Sequence, residues 1–157
     1  DRDDRRREDK EKKIKCKWCK KTGHFVSDCP EMLKVLKEKV DAGAHYIVTQ
    51  MFFDNQKFFA FEKKCREAGI HVPIIPGLKP LTAAAQINTI PRIFHVDIPE
   101  ALADAVEKAG SAEAVQKVGT DWCVEQSREL KAAGVPCLHY YTMGKIDVMR
   151  SIMQEVF

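Results

Sequence analysis

Apolar and polar positions recur with two different periods along residues 31–157, and the switches between them mark the elements. In "EMLKVLKEKVDAG" (31–43), Leu33, Leu36 and Val40 fall at helical spacing and Gly43 offers a stop. "HYIVTQMFF" (45–53) is apolar at nearly every position and rich in β-branched and aromatic residues, the pattern of a strand buried on both faces. Asp54 and Asn55 then open a helix, "NQKFFAFEKKCREAG", with Phe58, Phe61 and Cys65 on one face and Gly69 at its end. "VPIIPGL" (72–78) reads as a second buried strand. Three helical stretches follow: "TAAAQINTIPRIF", interrupted by Pro91, then "PEALADAVEKAG", then "SAEAVQKVGTDWCVEQSRELKAAG". Pro99 and Ser111 mark starts, and Gly110 and Gly134 mark stops. "VPCLHYYTM" (135–143) is a third buried strand, and "IDVMRSIMQEVF" closes as a helix with Val148, Ile152 and Val156 on one stripe.

The order α–β–α–β–α–α–α–β–α implies parallel strands joined by helical crossovers. A closed eight-stranded barrel takes about 250 residues. About three strands in residues 31–157 therefore predict an α/β fold that is part of a barrel or a small open sheet, with no room for a closed barrel.

Charge divides the chain differently. Residues 1–13 hold seven Lys/Arg and six Asp/Glu, so "DRDDRRREDKEKK" is expected to be a disordered, solvated tail. Residues 14–30 hold four Lys against one Asp, whereas the net charge of the whole chain is +3. Any nucleic-acid affinity is thus expected at the front of the chain, in 14–30 or in the tail acting as a contacting arm, and not in its bulk. No apolar run approaches the roughly 18–20 residues of a membrane span, and the charged start is unlike a secretory leader. The expectation is a reducing, intracellular setting, the cytoplasm, in which the six cysteines act as thiols or metal ligands. Cys65, Cys123 and Cys137 read as buried structural thiols, and His45, His71, His95 and His139 show no metal-pair spacing.

Cys16, Cys19, His24 and Cys29 are spaced C-x2-C-x4-H-x4-C. Three thiolates and an imidazole make a closed tetrahedral set suited to structural zinc, and Gly23 permits a tight turn before His24. The stretch resembles the zinc knuckle family, including its Gly-His pair. Residues 14–30 are too few for a hydrophobic core, so metal binding would supply their folding energy. Trp18 and Phe25, set among Lys17, Lys20 and Lys21, offer stacking surfaces beside positive charge, as binding of single-stranded RNA or DNA requires. The simpler reading is that the two aromatics cover the metal and the lysines keep the segment soluble.

Three further motifs carry a second resemblance: T-Q-x-F-F-D at the first strand, V-P-I-I-P-G at the second, and H-[FY]-Y-T at the third. In this order they resemble the later part of the barrel of the methylenetetrahydrofolate reductase family, from about Leu33 to the end. The resemblance implies a partial TIM-type (β/α) barrel over 31–157 behind the knuckle at 14–30. It implies FAD as cofactor, NAD(P)H as reductant, and reduction of 5,10-methylenetetrahydrofolate to 5-methyltetrahydrofolate. Gln50 matches a strand-end glutamine that contacts folate; its amide both donates and accepts, as a pterin edge demands. Tyr141 matches a substrate-contacting tyrosine. Lys145 stands where many members have arginine, placing a positive charge for the folate glutamate tail without the bidentate fork. Lys39 matches a basic residue associated with FAD.

The resemblance does not reach the half of the barrel that holds the catalytic glutamate and most flavin contacts, so no catalytic residue is assigned. Completion of the barrel by a partner or by a second copy of the chain is the corresponding expectation. Two other readings compete with a folate enzyme. One is a single-stranded nucleic-acid-binding protein whose barrel piece is a scaffold; the other is a chimera with its junction near Pro30.

Overall fold

The computed structural model describes residues 15–16, 18–23 and 29–157. They form two compact units, one within residues 1–45 and 59–72, the other of residues 46–58 and 73–157. The charged tail, Lys17, His24 and Phe25 lie outside the described residues.

In the first unit, α1 (Pro30–Asp41) starts at a proline, which has no N–H to leave unpaired, with Glu31 in its first turn and Lys39 in its last. Its apolar stripe, Leu33, Leu36 and Val40, is only half-buried. Lys37 and Asp41 pair one turn apart at 2.5 Å, and Gly43 leaves the helix with φ +110°. The second helix, α2 (Asn55–Glu67), contributes its later turns to this unit, burying Cys65 above Ile70. Arg66 closes that end: its guanidinium donates to the carbonyls of Ile70 and Val72 at 2.9 and 2.8 Å and pairs with Glu62. Burial pushes the Cys65 thiol up to about 11, so it is an inert structural thiol.

The second unit is built on β1 (Ile47–Met51), β2 (Ile74–Leu78) and β3 (His139–Tyr140), parallel and side by side in that order. Helices α3 (Gln86–Phe94), α4 (Glu100–Lys108), α5 (Ala112–Ala132) and α6 (Ile146–Val156) complete it. Ile47 pairs with Ile74 and Val48 with Ile75, then the ladder slips so that Met51 faces Gly77. At the slip, the Gly77 amide donates to the Thr49 hydroxyl at 2.9 Å, a side chain replacing a ladder carbonyl. Met51, Phe53, Leu81, Ile90, Leu102, Val106 and Val115 form the core, each worth about 2 kcal/mol on burial. Val148, Ile152 and Val156 are buried as their spacing predicts. Ser111 caps α5, its hydroxyl accepting from the Ala114 amide at 3.1 Å.

Four expectations are corrected. The first strand is not buried on both faces: Val48 is 40% exposed and Gln50 is exposed too, because three strands form an open sheet that does not close on itself. The third strand is only two residues long; Pro136 has no N–H for a ladder. Cys137, read as a buried thiol, is consequently exposed. Finally, Pro91 does not break its helix. It sits inside α3, which starts four residues later than the apolar pattern suggests and runs through to Phe94, with one N–H fewer in the ladder.

Candidate folate and metal sites

The described part of the N-terminal segment is a tight turn. Lys15 and Thr22 bridge in antiparallel fashion, the Cys16 amide donates to the Lys21 carbonyl at 2.7 Å, and Lys20 takes a left-handed φ of +65°. This brings the thiols of Cys16, Cys19 and Cys29 together, their sulfurs within 4.8 Å of one another. Burial pushes the Cys16 thiol up, but amide donation from Cys19 and Trp18 and from the neighbouring thiols outweighs it and brings it down to about 7. At Cys29 burial prevails and the thiol is raised. Three converging thiols suit a soft, tetrahedrally bound ion. Trp18 stays 48% exposed, and Lys20 and Lys21 are exposed beside it.

Packed against the hydrophobic core, the Tyr141 ring lies over Gly77. A side chain at Gly77 would begin 2.8 Å from that ring and 2.5 Å from the Thr49 carbonyl, so only glycine permits the approach. The Tyr141 hydroxyl donates to the Thr49 carbonyl at 3.0 Å, and the ring meets His139 edge-on at 4.7 Å. Gln50 follows directly on Thr49. Its side-chain oxygen accepts from the Met51 amide at 3.1 Å, and its amide nitrogen has no partner among the described residues. After β3 the chain turns through two left-handed residues, Met143 and Gly144, and delivers Lys145 to the start of α6. Lys39 lies exposed in the last turn of α1, in the first unit.

Lys145 lines a cleft of about 370 Å³ together with Lys79, Thr82, Gln86, Thr89, Ile90, Ile93, Phe94 and Met143. Gln86 shapes its floor by accepting from the Thr82 amide at 2.7 Å. The spacing argument missed Lys79, Thr82 and Gln86. A signal was present for Lys79, a lone lysine in the apolar run "PGLKPL". A second cleft of about 800 Å³ lies between the segment that follows β1 (residues 53–56) and α5 and carries Asp54, Asp121, Glu125 and Glu129. Three of these are engaged by their own neighbours, Asp121 by Lys117, Glu125 by Arg128 and Glu129 by Asn55, and Asp54 accepts from the Gln56 amide.

Among the described residues no helix is long and apolar enough to cross a membrane. A family model described as methylenetetrahydrofolate reductase matches residues 23–156. The chain is 39% identical over 126 residues to the "Probable methylenetetrahydrofolate reductase (NADPH)" of Caenorhabditis elegans, covering 79% of this chain and 19% of that protein. It is 38% identical over 130 residues to "Methylenetetrahydrofolate reductase 1" of Schizosaccharomyces pombe, covering 82% and 22%. To the "5,10-methylenetetrahydrofolate reductase" of Escherichia coli it is 34% identical over 118 residues, covering 74% and 40%. The chain thus spans about a fifth of the two eukaryotic relatives and two fifths of the bacterial one. From its matched motifs, its parallel strands and these relatives, the chain belongs to the methylenetetrahydrofolate reductase family.

Proposed function

We propose that this chain supplies a folate-binding part of an oxidoreductase that reduces 5,10-methylenetetrahydrofolate to 5-methyltetrahydrofolate with NAD(P)H through FAD. The observation that carries this reading is the grouping of Gln50, Tyr141 and Lys145 at or just past the C-terminal ends of parallel strands in one unit, where barrel chemistry gathers. In the reaction, bound FAD relays a hydride between nicotinamide and folate. Among the residues assigned here, Lys39 is the flavin contact, and it lines neither cleft. The chain's own part is therefore argued for the folate side. The unpartnered Gln50 amide nitrogen donates to the pterin, and turning its oxygen away from the Met51 amide frees an acceptor for the same edge. Tyr141 holds the face flat and lends its ring as a contact surface. Lys145 draws the anionic tail.

The test is titration of the chain with 5-methyltetrahydrofolate by calorimetry. Saturable binding is expected, weakened about tenfold in Gln50→Ala, the scale of hydrogen bonds lost to a polar ligand edge. An unchanged affinity in that variant would remove Gln50 from the site.

The three-thiol cluster is proposed to hold structural zinc with His24 as fourth ligand. Cobalt(II) in place of zinc is expected to give a thiolate charge-transfer band that Cys16→Ser diminishes. Binding should strengthen as pH rises, because the thiols must lose protons to bind metal. Absence of the band in the wild-type chain would sink the assignment. The exposure of Trp18 favours a second role for this segment: single-stranded nucleic acid whose bases stack on Trp18 and Phe25 and whose phosphates are neutralised by Lys17, Lys20 and Lys21. That role requires oligonucleotide binding that weakens with salt and is lost in Cys16→Ser.

A further inference from the structure

Lys79 is only 6% exposed, set between Pro76 and Leu81 in the most thoroughly buried run of the chain. Its ammonium donates to the Pro80 carbonyl at 3.3 Å, a long contact, and no carboxylate pairs with it among the described residues. Burial lowers its pKa, the nearby Cys123 thiol partly opposes this, and the positive charge of Lys145 lowers it further. A buried charge is strongly unfavourable unless it is paired. Lys79 nevertheless lines the same cleft as Lys145, which also has no carboxylate partner among the described residues. Ile93 and Phe94 supply an apolar wall beside the two lysines. The cleft thus offers two cations and an aromatic-sized apolar surface, with no anion of the protein's own.

We propose that Lys79 and Lys145 form a two-cation clamp for the dianionic glutamyl end of the folate ligand, and that Lys79 sets the preference for two carboxylates over one. This rests on the folate reading above. The apolar wall takes the aminobenzoyl ring, and each lysine takes one carboxylate of the glutamate. The ligand thereby provides the counter-charge that the fold withholds from Lys79. A nucleotide phosphate shares the dianionic chemistry, so the test must separate the two sources.

The probes are p-aminobenzoyl-glutamate and p-aminobenzoyl-glycine, which share a body and differ in carrying two carboxylates or one. The wild-type chain is expected to prefer the glutamate compound by about tenfold, the scale of one charge-assisted hydrogen bond. Lys79→Met should erase that preference while still binding both through Lys145. The same variant should show a raised urea midpoint, because an unpaired buried charge has gone, so lost preference cannot be unfolding. Equal wild-type affinities, or equal weakening of both ligands by Lys79→Met, would overturn the clamp and leave the folate reading standing. If neither aminobenzoyl compound binds but N-acetylglutamate does so in a Lys79-dependent way, the clamp stands and the folate reading falls. Lys79-dependent binding of adenosine 2′-phosphate alone overturns the dicarboxylate assignment. No binding of any probe sinks both.

Discussion

A Gly119→Ala variant is expected to lose at least about 3 kcal/mol of unfolding free energy, the upper range for overpacking a tight contact. Helix propensity alone points the other way: alanine in a helix interior is favoured over glycine by about 1 kcal/mol. The local geometry decides the sign. A Cβ on Gly119 would sit 2.7 and 2.8 Å from the carbonyl carbon and Cα of Leu81, and closer still to its carbonyl oxygen. All three are backbone atoms, so no rotamer change relieves the clash. Either α5 moves away from the segment after β2 or that segment shifts. Leu81 is a core residue, and Lys79 and Thr82 beside it line the cleft, so the substitution should damage ligand binding together with stability. Urea denaturation followed by Trp122 fluorescence reads the loss directly, because Trp122 lies one turn away with its indole N–H on the Phe53 carbonyl at 3.0 Å. A midpoint equal to or above wild type would show that the packing of α5 on Leu81 is looser than described.

Asn55→Ala is expected to cost about 3 kcal/mol, through unpaired buried polar groups rather than sterics. Asn55 is 5% exposed. Its amide nitrogen donates to the Gln126 carbonyl at 3.1 Å and to the Glu129 carboxylate at 2.7 Å. Its oxygen accepts from the Gln126 side chain, also at 3.1 Å. Removing it leaves the buried Gln126 amide with one long contact, 3.4 Å to the Phe52 carbonyl. Replacing both side chains should hurt less than the two single changes added together, because no orphaned amide remains. The coupling energy in a cycle with Gln126→Ala is expected at about 1–2 kcal/mol. Additive effects would mean that the two side chains do not exchange the hydrogen bonds described. The network matters for function because it ties α5 to the residues just beyond β1, the strand that presents Gln50.

Most of the elements were legible because their signals are local. Gly43, Gly69 and Gly134 leave their helices with positive φ, which glycine alone adopts freely. Ser111 caps α5 through its own hydroxyl, and the stripe of α6 follows from a period of 3.6. The order of strands and helices was sufficient to require parallel pairing, and the cysteine spacing was sufficient to bring Cys16, Cys19 and Cys29 together.

What the chain could not disclose locally depends on neighbours remote in sequence. An apolar run reads as buried on both faces whether or not strands exist to cover it; the exposure of Val48 and Gln50 is a property of the sheet, not of β1. Gly119 reads as a weak helix residue until Leu81 is placed against it. Pro91 reads as a helix breaker, yet α3 runs through it. Lys79 and Lys145 are separated by β3 and three helices, and neither position by itself distinguishes a solvated lysine from half of a clamp. The sequence by itself determined the α/β order, the glycine-marked helix ends and the family. The tertiary structure decided which face is open, which glycine is indispensable and which lysines share a cleft, because packing distances between segments remote along the chain are not encoded in any local period.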